Sequence, residues 1–309
     1  MLLSVVVCTH NKKNIQNLRE AVDSLLNQSY REMEIVVVVD GNRELYEEVL
    51  NIYQSCKNLK VVDTGKNIGL SGARNAGAKV AEGDVVAFFD DDAFADKGWG
   101  ENIMHIYQTS DAISVGGKIL PVWLSGKPDY FPEELGWLVG ITHEGFAGDE
   151  VTEVRNSFGP NMSFRIEVFD KVGYFDQRLG FGHRGTSYMQ GEEADFTLRM
   201  RREMVRGVIY NPYAVVYHKI PQWKTKPAVL LRRSFYQGYS KALLQRFNPA
   251  SGPLATEGSY LSEVLFRFIP RRMRRVLSKN AISEMKKLSL LIASVIGVGL
   301  GFGYGYLRR

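Results

Sequence analysis

Over the first hundred positions the chain alternates between two textures. Short apolar runs rich in β-branched residues, LLSVVVCT (2–9), EIVVVVD (34–40), LKVVDT (59–64) and DVVAFFD (84–90), read as buried strands. Between them lie segments with helical spacing: NIQNLREAVDSLLNQ (14–28), with Leu18, Val22, Leu25 and Leu26 recurring, a stretch near 43–56, and SGARNAGAKVA (71–81). Continuous apolar strands separated by helix-period segments mean βαβ crossovers, hence an α/β fold whose mixed, largely parallel sheet is covered on both faces. Ligands of such sheets lie beyond the carboxyl ends of the strands. That lines up Thr9, His10, Asp40 and the triplet Asp90, Asp91 and Asp92 along one crevice.

From about 113 to 190 the pattern loosens into irregular strands and loops, with Pro121, Pro128 and Pro132 among glycines and tryptophans. Periodicity returns in EEADFTLRMRREM (192–204), a helix with acids in its first turn, where the macrodipole favours them. GVIYNPYAVVYHK (207–219) follows as a strand pair or an edge strand. The tail changes character: 227–247 mixes aromatic, basic and aliphatic residues at helical spacing, and RFIPRRMRRVLSK (267–279) is strongly basic. LSLLIASVIGVGLGFGYGYL (288–307) then carries no charge. At about 1.5 Å per residue such a helix reaches roughly 30 Å, one hydrocarbon core. Its Gly297, Gly301 and Gly305 form a small-xxx-small face suited to packing inside a membrane. Spanning is the expectation, with an interfacial or docked helix and a frayed tail as alternatives. The organisation expected is a catalytic domain over 1–220, a basic and aromatic membrane-proximal region over 221–285, and a transmembrane helix over 286–309.

Composition adds little that contradicts this. The 309 residues are 45% hydrophobic, enough for a substantial core, and the net charge of +5 leans towards anionic partners. Cys8 and Cys56 fit buried free thiols in a reducing compartment. The N-terminus lacks the basic region and small-residue cleavage site of a signal peptide. A nucleic-acid role would rest only on the basic tail, which abuts an apolar span, so no nucleic-acid partner is expected.

The three aspartates at 90–92 would repel one another unless a cation compensates them. A hard divalent ion, Mg²⁺ or Mn²⁺, suits oxygen ligands and commonly also holds substrate phosphates. Two familiar phosphate devices are missing: the turn after the first strand is CTHNKKNIQ, not G-x-G-x-x-G, and no G-x-x-x-x-G-K-[ST] occurs. Instead Asp40 ends the second strand, where it can accept from a base edge or ribose. Gly69 and Gly72 permit close backbone approach, and Arg74 offers charge for a diphosphate.

LSVVVCTHNK, VVVVDG, GKNIGLSGARNAGAKVAEGDVVAFFDDD, FGPNMSFRIEVFDKVGYFD and GEEADFTLRMRR resemble, in this order, the successive motifs of the family 2 glycosyltransferases with a GT-A fold. The resemblance covers roughly 1 to 220. It implies an inverting enzyme that uses a nucleotide-diphosphate sugar donor and a divalent metal. Position by position, it implies nucleotide contacts for Thr9 and Asp40, a place beside ribose and diphosphate for Arg74, the ribose side for Asp90, and the metal for Asp92. Asp91 between them belongs with the nucleotide-sugar site or serves local structure. Gly159, Asn161 and Ser163, with Glu192, fall on the acceptor side. Glu193 takes the general-base position, which the family usually fills with Asp. Glu192 or Asp195 would inherit that role if the extra methylene of Glu193 misplaced it. His218 is a structural histidine on the plain reading and a possible metal ligand on the family's pattern.

A phosphate acceptor is already ionised at neutral pH and needs no base, so a carboxylate at the base position leans towards a hydroxyl acceptor. RRSFYQGYSKALLQRF (232–247) is similar to the region behind the catalytic domain in archaeal enzymes of dolichol-linked glycan assembly, the glucosyl-dolichyl phosphate glucuronosyltransferases. This implies UDP-glucuronate as donor and a lipid-linked saccharide, glucosyl-dolichyl phosphate, as acceptor. Transfer to a polyprenyl phosphate directly or to a polysaccharide, and a non-catalytic membrane-anchored nucleotide-binding protein, remain the rival readings. Arg271, Arg272, Arg274, Arg275, Lys279, Lys286 and Lys287 precede the apolar span and only Arg308 and Arg309 follow it. The positive-inside rule then puts the catalytic domain of a single-pass membrane protein in the cytoplasm.

Overall fold

The computed structural model describes residues 1–180, 190–247, 255–277 and 281–308. The four apolar runs form β1 (Leu3–Thr9), β2 (Met33–Val39), β3 (Leu59–Asp63) and β4 (Val85–Asp90). The segments between them form α1 (Ile15–Leu26), α2 (Arg43–Tyr53) and α3 (Gly69–Val80). β1 pairs in parallel with β2 and β4, and β2 with β3. Successive side chains point to opposite faces of a strand, yet both faces are dry here. Val5, Val7, Ile35 and Val37 join Leu18 and Val22 of α1 and Leu45 and Val49 of α2 in one core. Val6, Val36 and Val38 join Ala73 and Ala78 of α3 in the other. Burial on both sides is why the runs are unbroken rather than alternating.

The chain continues through β5 (Ala93–Ala95), α4 (Trp99–Thr109), β6 (Ser114–Trp123), β7 (Thr152–Val154), β8 (Met162–Arg165), α5 (Ile166–Val172), α6 (Glu192–Met204) and β9 (Val208–Ile220). Among the described residues the sheet has nine strands in the order β3-β2-β1-β4-β8-β6-β9-β5, with β7 also paired to β9. β8 lies antiparallel to β4 and β6, and β5 and β7 lie antiparallel to β9. The sheet is therefore parallel from β3 to β4 and turns antiparallel at β8.

Two elements differ from the sequence reading. Residues 207–219 are neither a strand pair nor an edge: β9 is one strand with β6 and β5 as neighbours in the sheet order, and its Val208, Tyr210, Ala214 and Val216 are buried. α5 went unread because seven residues are too few for a helical period to register. Rings from both halves meet here: Phe175 lies 5.1 Å from Phe88 of β4 and 4.5 Å from Phe196 of α6. Phe164 of β8 lies 4.8 Å from Phe196. This cluster fixes where α6 begins.

By contacts the chain divides into two compact units, Met1–Leu120 with Asp149–His218, and Pro121–Gly148 with Lys219–Arg309. The first holds every family 2 motif quoted above. The second takes in an internal segment, 121–148, that a single cut near 220 leaves with the catalytic domain. It contains α7 (Pro227–Phe247), α8 (Ala255–Glu263), a π-helical turn (Val264–Phe268), α9 (Ile269–Val276) and α10 (Ala281–Leu307).

α10 is the helix among the described residues that is long and apolar enough to cross a membrane, with a mean hydropathy of 1.8 in its most apolar window. Its glycine face is occupied from within the unit. Gly297 faces Ser234, a β-carbon at Gly301 would overlap the Phe235 carbonyl, and one at Gly305 would press on Ala242. Reciprocally, a β-carbon at Gly238 would overlap the Val298 carbonyl. The partners ascend together, so α7 and α10 run parallel, and Arg246 closes the pair by donating to the Tyr306 and Arg308 carbonyls at 2.7 and 2.9 Å.

The basic stretch is partly consumed by internal pairing. Arg272 is fully buried and meets Glu134 at 2.5 Å, Glu133 at 2.8 Å and Glu284 at 2.8 Å, while Arg271 meets Glu134 and Glu144. These pairs tie α9 and the first turn of α10 to the 121–148 segment. Lys279 and Arg309, both counted in the topology argument, lie outside the described residues.

Candidate active site

The parallel register of β1 and β4 sets Cys8 opposite Asp90, so the ends of both strands open at one edge. Asp90 closes β4, and Asp91 and Asp92 turn the chain into β5. The antiparallel pairing of β5 with β9 sets Ala93 opposite His218. That ladder carries the imidazole back beside the turn, where His218 Nε2 lies 3.0 Å from Asp92 Oδ1. Asp90, Asp92 and His218 can each present one ligand atom, all within 4.8 Å of one another. Two carboxylates and one imidazole make a donor set that suits a divalent cation. Asp92 and His218 thus stand together, and Asp90, expected on the ribose side, joins them.

Asp91 turns the other way. The Thr9 hydroxyl donates to its Oδ2 at 2.6 Å, so Thr9 has a carboxylate partner at the spot expected to meet a nucleobase. Burial, followed by the charge of Asp92, raises the Asp91 carboxyl to about 7, against the stabilising Thr9 hydrogen bond. Asp40, just beyond β2, accepts from the Ile68 and Gly69 backbone N–H groups at 2.8 and 3.0 Å and from the Thr64 hydroxyl at 2.9 Å. It holds the start of α3 against the sheet, where an anion suits the helix N-terminus.

Arg74, on α3, is almost fully buried and gathers three carboxylates. Its Nη2 lies 3.5 Å from Asp90 Oδ1, and its Nη1 lies 3.1 Å from Glu192 Oε1 and 3.4 Å from Glu193 Oε1. Burial alone would make the guanidinium easier to deprotonate, but Glu193, Glu192 and Asp90 outweigh it and hold the charge in place. Sequence reasoning gave Arg74 to a diphosphate and missed this role as hub. Glu193 has 24% of its side chain exposed and Glu192 only 1%. Both carboxyls are raised chiefly by burial, Glu192 to about 8 with the charge of Glu193 adding to the effect. Asp195, the other candidate base, is buried and held by Arg199 at 2.8 Å.

The acceptor-side expectation divides. Gly159 borders the carboxylates, since a β-carbon there would collide with the Arg74 guanidinium and crowd Glu193 Oε1 at 2.8 Å. Asn161 and Ser163 are instead fully buried structural residues. Asn161 accepts from Trp99 Nε1 at 2.9 Å and donates to the Lys118 and Ala214 carbonyls, and Ser163 donates to the Val115 carbonyl at 2.8 Å. The sequence signal that separates them is position: both flank or lie on β8, whose pairing turns alternate side chains inward. Cys8 is free, and burial pushes its thiol well above the usual range, which leaves it no role as a nucleophile.

The sequence model of glycosyl transferase family 2 matches residues 4–173. The glucosyl-dolichyl phosphate glucuronosyltransferase of Haloferax volcanii is 36% identical over 93% of this chain and 91% of its own length, so the likeness reaches well beyond the 4–173 matched by the family model. The uncharacterised glycosyltransferase YwdF of Bacillus subtilis is 29% identical over 57% of this chain and 62% of its own. Among solved structures, the mannosyltransferase PcManGT of Pyrobaculum calidifontis, in complex with GDP-Man and Mn²⁺, superposes with a TM-score of 0.59 at 17% identity, covering 95% of this chain and 86% of that one. Residues 1–349 of TarS from S. aureus, in complex with UDP-GlcNAc, superpose with a TM-score of 0.54 at 16% identity, covering 100% and 93%. Likeness at that identity establishes the shared GT-A fold. With the family motifs now seen converging on one strand-end cleft, the chain belongs to glycosyl transferase family 2 and is a glycosyltransferase.

Proposed function

We propose that this chain transfers glucuronic acid from UDP-glucuronate to a hydroxyl of glucosyl-dolichyl phosphate, with inversion, in the assembly of an N-glycan or surface glycan. The observation that carries the reading is the 36% identity over 93% of the chain to the Haloferax volcanii glucuronosyltransferase, well beyond the segment that the family model matches. Retention of a partly exposed carboxylate at Glu193 supports a hydroxyl acceptor over a phosphate one, because only the hydroxyl needs a base.

The donor set of Asp90, Asp92 and His218 fits Mg²⁺ or Mn²⁺. When bound, the ion would lend positive charge to a diphosphate leaving group. The protein's own part is as follows. Glu193 accepts the proton of the acceptor hydroxyl as that oxygen bonds to the anomeric carbon. The anomeric carbon's bond to the diphosphate oxygen breaks, and its electron pair leaves with the nucleoside diphosphate. One displacement from the opposite face inverts the centre, and no covalent enzyme intermediate forms. Arg74 keeps the carboxylates of this wall in place while Gly159 leaves room beside them. Asp91, held by Thr9, and Asp40, held at the start of α3, shape the nucleotide end.

α10 is proposed to anchor the enzyme in the cell membrane as a single pass, with the catalytic unit in the cytoplasm by the preponderance of Arg and Lys before the span. The test offers purified enzyme a panel of nucleotide sugars with Mn²⁺ and archaeal lipid extract, and identifies the product by mass spectrometry. Glu193→Gln is run beside it and is expected to bind donor normally while turnover falls by about 10² or more. Transfer of another sugar, or to a bare lipid phosphate, would replace the substrate assignment. Full turnover in the variant would remove Glu193 as base.

A further inference from the structure

The two neighbouring carboxylates of the site live in unequal surroundings. Glu192 and Glu193 open α6 side by side, and their Oε1 atoms lie 3.1 and 3.4 Å from the same Arg74 Nη1. A single guanidinium nitrogen cannot fully compensate two carboxylates while the same arginine also faces Asp90. Glu192 is closed off: its Oε2 is buried with no hydrogen-bond partner among the described residues. It packs against the main chain at Gly180, where a β-carbon would sit 3.6 Å from that oxygen. A neutral carboxyl tolerates a bare buried oxygen far better than an ionised one does. Glu193 keeps access to the cleft.

We propose that Glu192 and Glu193 share one proton, which Glu192 keeps, so that Glu193 is the ionised member offered to the acceptor. The inference rests on Glu193 being the base and gives Glu192 a positioning role. Paired carboxyls whose surroundings drive their proton affinities apart divide acid and base tasks in this way. Among the described residues, the charged groups facing Glu192 are Arg74 from α3, Glu193 on its own helix and Asp90 from the end of β4. Burial and Glu193 together favour the proton, and Arg74 opposes it. The protonated neighbour also limits the negative charge of a site that must admit an anionic donor. Stripping that proton adds a second charge beside Arg74 and weakens donor capture.

The experiment measures kcat/KM for the nucleotide sugar against pH on the full chain in detergent, for the parent, Glu192→Gln and Glu193→Gln. The parent should lose about tenfold per pH unit above an alkaline limb. In Glu192→Gln, where a neutral amide replaces the carboxyl, that limb should vanish. A pH-difference infrared spectrum provides a measurement independent of turnover. The parent should lose a protonated carboxyl band as pH rises, and Glu192→Gln should lack that band. An alkaline limb that persists in Glu192→Gln, a parent with no such band, or a kcat loss in Glu192→Gln equal to that of Glu193→Gln would each overturn the proposal. If Glu193→Gln retains full kcat, the base assignment fails instead, while the infrared band still decides where the proton sits.

Discussion

Replacing Arg74 by methionine keeps most of the side-chain volume and removes the one positive charge among the described residues that faces Asp90, Glu192 and Glu193 together. Breaking a buried ion pair from one side costs roughly 3–5 kcal/mol, because the partner charges stay behind. For a folded unit of this size that corresponds to a melting temperature lower by roughly 6–20 °C. The loss depends on pH, and its sign follows from protonation. The Glu192 carboxyl is raised from 4.5 to about 8, first by burial and then by Glu193. A carboxyl raised in the folded state binds more protons folded than unfolded, so its contribution is full below the unfolded value and is lost as pH climbs through the folded one. Arg74 is the group that pulls both glutamates down. Its removal raises them further, so the penalty of Arg74→Met should be smallest near 4.5 and grow across the window up to and beyond about 8. Thermal melts followed by tryptophan fluorescence at both ends of that window measure it. They need chelator present, because Asp90 also belongs to the candidate metal group. Equal losses at the two ends, or a loss under about 2 °C at the alkaline end, would refute the hub assigned to Arg74.

Asp92→Ala should abolish transfer while leaving the melting temperature of the chelated protein the same or higher, since it removes one of three crowded charges; retained turnover that still responds to chelator would remove Asp92 from the metal group. Gly301→Val inserts a side chain where the Phe235 carbonyl already lies, and overpacking of that kind costs about 1–3 kcal/mol. It should make 227–247 more susceptible to limited proteolysis than the matched Gly303→Val, because Gly303 has nothing within 4 Å of its β-carbon position. Equal cleavage would mean that α7 and α10 do not pack this way. Truncation after Lys287 should release part of the protein from membranes at high salt, where exposed basic residues no longer hold it. Full membrane retention at high salt would assign the attachment to another segment.

The parallel half of the sheet was legible because β1, β2 and β4 are dry on both faces and so spell unbroken apolar runs, while α1 and α2 between them keep one wet face. The antiparallel half was less so. β9 is interrupted by Asn211, Pro212 and an exposed Tyr213, which read as a turn, yet Asn211 is buried and donates to the Asn102 carbonyl at 2.9 Å. A long-range side-chain bond keeps the strand whole there, and no local pattern encodes it. The same limit applies at the site. A strand-end aspartate triplet announces a cation on electrostatic grounds alone, but the pairing of Ala93 with His218 that delivers the imidazole joins positions far apart in the chain.

Arg74 shows the limit most sharply. Its place after a glycine-rich turn pointed to ribose and diphosphate. Its guanidinium also lies against Asp90, Glu192 and Glu193, three acids from two distant segments. An arginine so placed answers the question that the carboxylates raise. With Glu193 as the proposed base, an ionised carboxylate must stand beside a strand end that is already acidic, and the cleft must still admit a doubly charged leaving group. On the protonation proposed for Glu192, one buried guanidinium and one held proton lower the local negative charge on that side of the site. The price is a centre whose base, metal-facing acid and stability all pass through one residue. A single substitution at Arg74 should therefore disturb all three, whereas Asp92→Ala should disturb the chemistry alone.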